Sequence, residues 1–212
     1  MIPQIEDMTR IPAPPTLILG QIHRGDHSNE CAVVPRLLKS LDIADCILLA
    51  EGAGPIRTLA REIVGRKAHY VFRMERFHGR IYDDVVEFFT RARATAFRNA
   101  SVDHLERMEA RGGRRGIHRY WYARDVAWLN GIEEWPAMSG VGLVESDFEG
   151  EATIHRYYLS SIADRPGDFF RAVMGHCPGE HPTHWSLSLT FPETKSIETA
   201  ARNFMILRQV FH

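Results

Sequence analysis

The sequence predicts an α/β fold, and three observations carry that prediction. Short apolar runs alternate with amphipathic stretches through the first half of the chain, the order expected of strands joined by helices. Beyond Gly112-Gly113, polar and aromatic or aliphatic residues alternate in the manner of half-exposed antiparallel strands. With 212 residues, 44% hydrophobic and 25% charged, the chain suits one soluble domain with a small inserted subdomain.

Taken in order, Met1–Pro15 holds four prolines and little periodicity, so residues 1–16 read as a tail. Thr16–His23 is a strand candidate. Ser28 then caps a helix whose apolar positions Val33, Val34, Leu37, Leu38 and Leu41 recur at helical spacing. Asp45–Glu51 is a short apolar run ending in an acid and followed by Gly52-Ala-Gly54; such runs suit a strand buried on both faces. Pro55 opens a helix over Ile56–Val64. His69–Met74 reads as a strand, and Ile81–Ala94 as an amphipathic helix through Ile81, Val85, Phe88 and Phe89. Gly112-Gly113 marks a turn, and His118–Tyr122, Val141–Glu145 and Thr153–Ser160 read as strands of an antiparallel insertion over about 112–161. Pro166–Gly175 and Glu198–Phe211 read as helices, with the strand-like run Ser186–Phe191 between them.

Net charge is −1, so no global excess of positive charge announces a nucleic acid, although nine arginines fall between Arg91 and Arg124. Arginine suits bidentate phosphate contacts, and a GC-rich genome produces the same bias. Cys31, Cys46 and Cys177 have no disulfide or C-x-x-C spacing, which fits a reducing, cytoplasmic setting. Met1–Pro15 lacks the apolar core of a signal peptide. No apolar run approaches the roughly 20 residues of a membrane span, so no membrane partner is expected.

Two stretches carry candidate chemistry. Glu51 ends an apolar strand, where open α/β sheets place ligands. Glu180 lies between His176 and His184, four residues from each, with Trp185 following. Separated carboxylates that converge in the fold can hold Mg²⁺ or Mn²⁺ for in-line displacement at a phosphodiester. The same three residues, His176, Glu180 and His184, would instead share one face of a helix as zinc ligands, but Pro178 and Pro182 oppose a helix there. A third reading leaves Glu180 idle and gives the arginines a DNA-binding role.

Six groups of residues in the same order resemble the catalytic region of bacterial insertion-sequence DDE transposases of the H-repeat-associated type. They are Leu19-Gly-Gln21 with Ser28-Asn-Glu30 and Pro35-x-Leu-Leu38; Tyr70, Gly79 and Asp84-Val85; Arg119-Tyr-Trp121 with Trp128-Leu129 and Trp135-Pro136; Arg156–Ser161; His176, Glu180 and His184-Trp185-x-Leu187; and Asn203-Phe204 with Leu207-Arg208. The resemblance runs from about Leu17 to the end. It implies an RNase H-like (DDE transposase/integrase) core with a β-rich insertion, acting in Mg²⁺-dependent DNA strand cleavage and transfer on insertion-sequence ends. Glu180 matches the family's catalytic Glu and Glu51 its second catalytic Asp, so both are the implied metal ligands. His184 and Trp185 match active-site supports. Arg119 and Arg156 are the positions to test for contact with DNA phosphates.

The departures define what is expected of this chain. The family's first catalytic Asp lies on a strand upstream of the Leu-Gly-Gln segment, and Met1–Pro15 does not supply it. Glu51 is one methylene longer than Asp; a misplacement of about 1 Å at a reacting centre can cost on the order of 100-fold. An expected Lys-Gly-Asn-Gln is Glu75-Arg-Phe-His78. The expectation is therefore an incomplete core: a truncated, catalytically impaired transposase remnant, or a regulatory DNA-binding one, alone or in oligomers with itself or with full-length transposase. In an RNase H-like sheet lacking its first two strands, Leu17–His23 and Ile47–Ala50 have no partner between them.

Overall fold

The structure, a computed structural model, describes residues 16–22, 38–39, 41–51, 56–111, 114–174 and 185–190, with 16–22, 110–111 and 185–190 described by their backbone alone. Eight strands and three longer helices occur in the order β1 (Thr16–Ile22), β2 (Ile47–Glu51), α1 (Ile56–Gly65), β3 (His69–Met74), α2 (Arg80–Ala94), β4 (Val102–Arg111), β5 (Arg114–Ala123), β6 (Gly140–Phe148), β7 (Ile154–Ser160), α3 (Pro166–Met174) and β8 (Trp185–Thr190). The strands form one mixed sheet ordered β1-β8-β2-β3-β7-β6-β5-β4. Only β2 and β3 pair in parallel; each of the other neighbouring pairs is antiparallel.

All five residues of β2 are buried, because the strand is covered on both faces. On one face, α1 contributes Ile56, Leu59, Ala60 and Ile63, the i, i+3, i+4, i+7 stripe of an amphipathic helix. Alongside it, α2 contributes Ile81, Val85, Phe89 and Ala92. These pack with Leu48, Ala50, Tyr70, Phe72, Trp121 and Leu143 in one core. The opposite face collects Ile47, Leu49, Val71, Tyr120, Tyr122, Val144 and Tyr158 beneath Phe169 and Phe170 of α3. The two clusters alternate along β2 to β7, as a period of two requires.

The gap expected between the first two strands is filled. β8 runs antiparallel to both, with Leu48 opposite Leu189 and Leu17 opposite Leu189 on its other side. A strand from late in the chain thus supplies the hydrogen bonds that buried backbone demands. The antiparallel region also begins earlier than the sequence suggests. Val102–Arg111, read above only as arginine-rich chain, is an edge strand paired with β5 along its whole length. Its alternating acids and bases hide the strand pattern but suit an edge, since exposed charges discourage pairing with other chains. The four strands β4–β7 continue the main sheet through the β7–β3 pair. Of the helix after Ser28 only Leu38 and Lys39 are described up to residue 40, and they are helical; the turn at Gly112-Gly113, the closing helix Glu198–Phe211 and the segment from His176 to His184 lie outside the described residues.

Close packing under α3 depends on a missing side chain. A Cβ built on Gly142 would fall within the Phe169 ring, which stacks on Tyr122 at 4.4 Å between centroids. Around Gly65 nothing lies within 4 Å of the same position. Gly142→Ala is expected to cost about 1–3 kcal/mol in urea unfolding through overpacking, while Gly65→Ala leaves stability unchanged or slightly raised.

Candidate functional site

Glu51 closes β2 and is 8% exposed. It follows Ile47 and Leu49 at period two, so it belongs to the face covered by α3. In the parallel β2–β3 register, Ala50 lies opposite Phe72, which brings Glu51 beside Arg73. Arg73 Nη1 donates to Glu51 Oε2 at 3.2 Å, and its Nε lies 3.2 Å from Glu75 Oε1. Burial works against the Arg73 charge, but the Glu51 and Glu75 carboxylates outweigh it and hold the guanidinium ionised more firmly than usual. Tyr158, opposite Arg73 on β7, is kept protonated by burial and by the charge of Glu51.

The strand that fills the gap brings a second stretch to the same place. Glu51 lies opposite Ser186, and Ile22 lies opposite Trp185. The first residues of β8 therefore sit between the ends of β1 and β2. Glu180 and His184 precede that strand and lie outside the described residues, as does the zinc reading of His176, Glu180 and His184. Trp185 is placed by its backbone only. Among the described residues, no three His, Cys, Asp or Glu side chains gather as a metal-binding group.

Arg119 and Arg156 do not share a surface. Arg119, on β5, lies opposite Glu145 on the face of α2. Its Nη1 donates to Glu145 Oε1 at 2.8 Å, its Nε lies 3.2 Å from Glu106 Oε2, and Asp147 is 3.7 Å away. A phosphate would compete there with carboxylates already bound. Arg156, on β7, lies opposite Val144, whose side chain joins the core under α3. It donates to the neutral Ser146 hydroxyl at 3.0 Å, and that hydroxyl also meets His118 Nδ1 at 2.9 Å. A cleft of about 400 Å³ beside α2 is lined in part by Phe88, Arg91, Trp128 and Asn130, and contains none of these site residues.

Sequence reading missed two charged centres. Arg73 was visible only as a member of a strand; its period-two spacing from Val71 marks it as facing the same core, where a charge needs a partner. Glu145 was read as a strand terminus, but it is 5% exposed within β6. It accepts from Arg119, from Arg93 of α2 at 2.7 Å and from His155 at 3.0 Å. Burial pushes its pKa up, but hydrogen bonds from His155 and Arg119 and the charge of Arg93 overcome that and hold it below the ordinary 4.5.

Known proteins place this arrangement in context. The chain is 25% identical over 187 residues to "Putative transposase YncI" of Escherichia coli O157:H7, covering 85% of this chain and 47% of that protein. It is 27% identical over 188 residues to "H repeat-associated putative transposase YhhI" of Escherichia coli K12, covering 84% of this chain and 48% of that protein. The chain is a homologue of these transposase-named proteins. It is also 24% identical over 152 residues, 70% of this chain and 50% of the relative, to "Uncharacterized protein in dhlA 3'region" of Xanthobacter autotrophicus. The chain spans about half the length of the curated relatives it matches. No family model matches it, and no solved structure matches it significantly. No helix among the described residues is long and apolar enough to cross a membrane.

The Glu145 cluster sets a pH dependence. A carboxyl held below its ordinary value in the folded state binds fewer protons there than in the unfolded chain. Its contribution is complete above the ordinary value of 4.5 and is lost as pH falls through the lower folded value. Chemical unfolding followed from neutral to acid pH should show a steep acid limb that flattens in Glu145→Gln.

Proposed function

We propose that this chain engages DNA as the counterpart of a transposase catalytic region, with strand cleavage impaired. The observation that carries the reading is homology to transposase-named proteins across four-fifths or more of the chain. The position of Glu51 supports it: an acid at the carboxyl end of a buried strand, beside the start of the strand that Glu180 precedes. An RNase H-like core is part of the same proposal. The sheet agrees with it in pairing β2 and β3 in parallel and departs from it in setting an antiparallel β8 beside β2.

The chemistry such a site performs is displacement at a phosphodiester, with Mg²⁺ or Mn²⁺ neutralising the attacking and leaving oxygens. Mg²⁺ takes about six oxygen ligands at about 2.0–2.1 Å. The described residues present two carboxylates at this end of the sheet, Glu51 and Glu75, and Arg73 is bonded to both. That set does not fit the ion, because a guanidinium supplies positive charge and no lone pair. The same observation favours the second reading, a regulatory DNA-binding protein that competes with or joins a full-length transposase. In both readings phosphate contact falls to Arg156 before Arg119, because Arg156 is bound to a neutral hydroxyl and Arg119 is held by carboxylates.

Gel shifts on duplex DNA at a series of salt concentrations test this. Binding should weaken linearly with the logarithm of salt, as counterion release requires, and Arg156→Ala should reduce the slope by about one. Arg119→Ala should act mainly on stability, and Glu180→Gln should leave binding unchanged. Nicking or strand transfer by the purified chain in Mg²⁺ or Mn²⁺, lost in Glu180→Gln, would overturn the impaired reading. Absence of salt-dependent binding would sink both readings.

A further inference from the structure

We infer that Arg73 is the built-in counter-charge of Glu51 and occupies the electrostatic role of a divalent ion, so that this end of the sheet excludes Mg²⁺ and Mn²⁺. A carboxylate buried to the extent of Glu51 demands compensation. In a metal site the ion provides it; here the side chain of the adjacent strand does, at 3.2 Å. The guanidinium is held from a second side by Glu75 at the end of its own strand, also at 3.2 Å. Across the β3–β7 ladder Arg73 is paired with Tyr158, whose phenol is protonated and adds no charge to attract a cation.

Arginine stays ionised in every accessible condition and cannot act as a ligand, so it does not yield the position by losing a proton. A dication approaching Glu51 meets a fixed positive charge within a few ångströms, and the position between the Glu51 and Glu75 carboxylates is already filled by the guanidinium. Backbone register holds this pair together: β2 and β3 are hydrogen-bonded neighbours, and the two residues lie one step beyond the last pair of their ladder, Ala50 and Phe72. Arg73 is therefore a positioning and neutralising residue rather than a catalytic one.

Mn²⁺ uptake, read by electron paramagnetic resonance from micromolar to millimolar concentrations, tests this without DNA, so its result stands apart from the proposal of DNA engagement. The wild-type chain should show no Mn²⁺ binding that depends on Glu51. Arg73→Gln should bind Mn²⁺ at least roughly tenfold more tightly than wild type, the gain expected from removing a neighbouring like charge. Adding Glu51→Gln should abolish that gain, and Arg73→Lys should resemble wild type. Should Arg73→Gln alone fail to fold, Mn²⁺ during refolding should restore it, as should the added Glu51→Gln. Wild-type Mn²⁺ binding that disappears in Glu51→Gln overturns the inference. So does a folded Arg73→Gln that gains no Mn²⁺, or a folding defect that neither Mn²⁺ nor the double substitution relieves.

Discussion

Everything in this sheet depends on satisfying β2 on both sides. Its five residues are buried, so each backbone N–H and C=O must find a partner within the protein. β3 provides one side through a parallel ladder, reached by way of α1. The other side is met by β8, which arrives from far along the chain and pairs antiparallel. This long-range closure leaves β1 and β4 at the two ends of the strand order. It also brings the start of β8, the strand that Glu180 precedes in sequence, beside the end of β2.

The same sheet keeps its charges on separate faces. Glu51 and Arg73 lie on the side of α3, while Glu145 gathers Arg93, Arg119 and His155 on the side of α2. Each buried acid is balanced by cations from neighbouring elements, as burial requires. Arg119 and Arg156 follow the alternation and diverge. A duplex lying against one face would meet one of them, so the pair cannot act as a single phosphate clamp.

Homology and geometry answer different questions here. Similarity to transposase-named proteins reaches most of the chain, but the chain reaches only about half of each relative. Several segments singled out in the sequence also hold structural positions. Trp121 stacks on Phe97 at 4.9 Å, and Tyr158 lies opposite Arg73 in the β3–β7 ladder. Such positions preserve a sheet whether or not the acids at its end retain their chemistry. The Glu51–Arg73 pair is one such position, a buried acid and base joined across two neighbouring strands.

Local pattern was enough to locate β1, β2, α1, β3, α2 and α3, because apolar period and capping residues such as Pro55 and Pro166 act within a few residues. It was enough to mark Glu51 as an acid at a strand end. It was not enough for β4, whose charges serve an edge rather than a core, nor for Glu145, whose burial depends on arginines from α2 and β5. The partner of β2 was beyond it as well. Strand order is set by which distant segment completes a buried hydrogen-bond ladder, and periodicity carries no record of that choice. The neighbour of Glu51 was decided the same way: Arg73 reaches it only because two strands, separated in sequence by a helix, lie side by side.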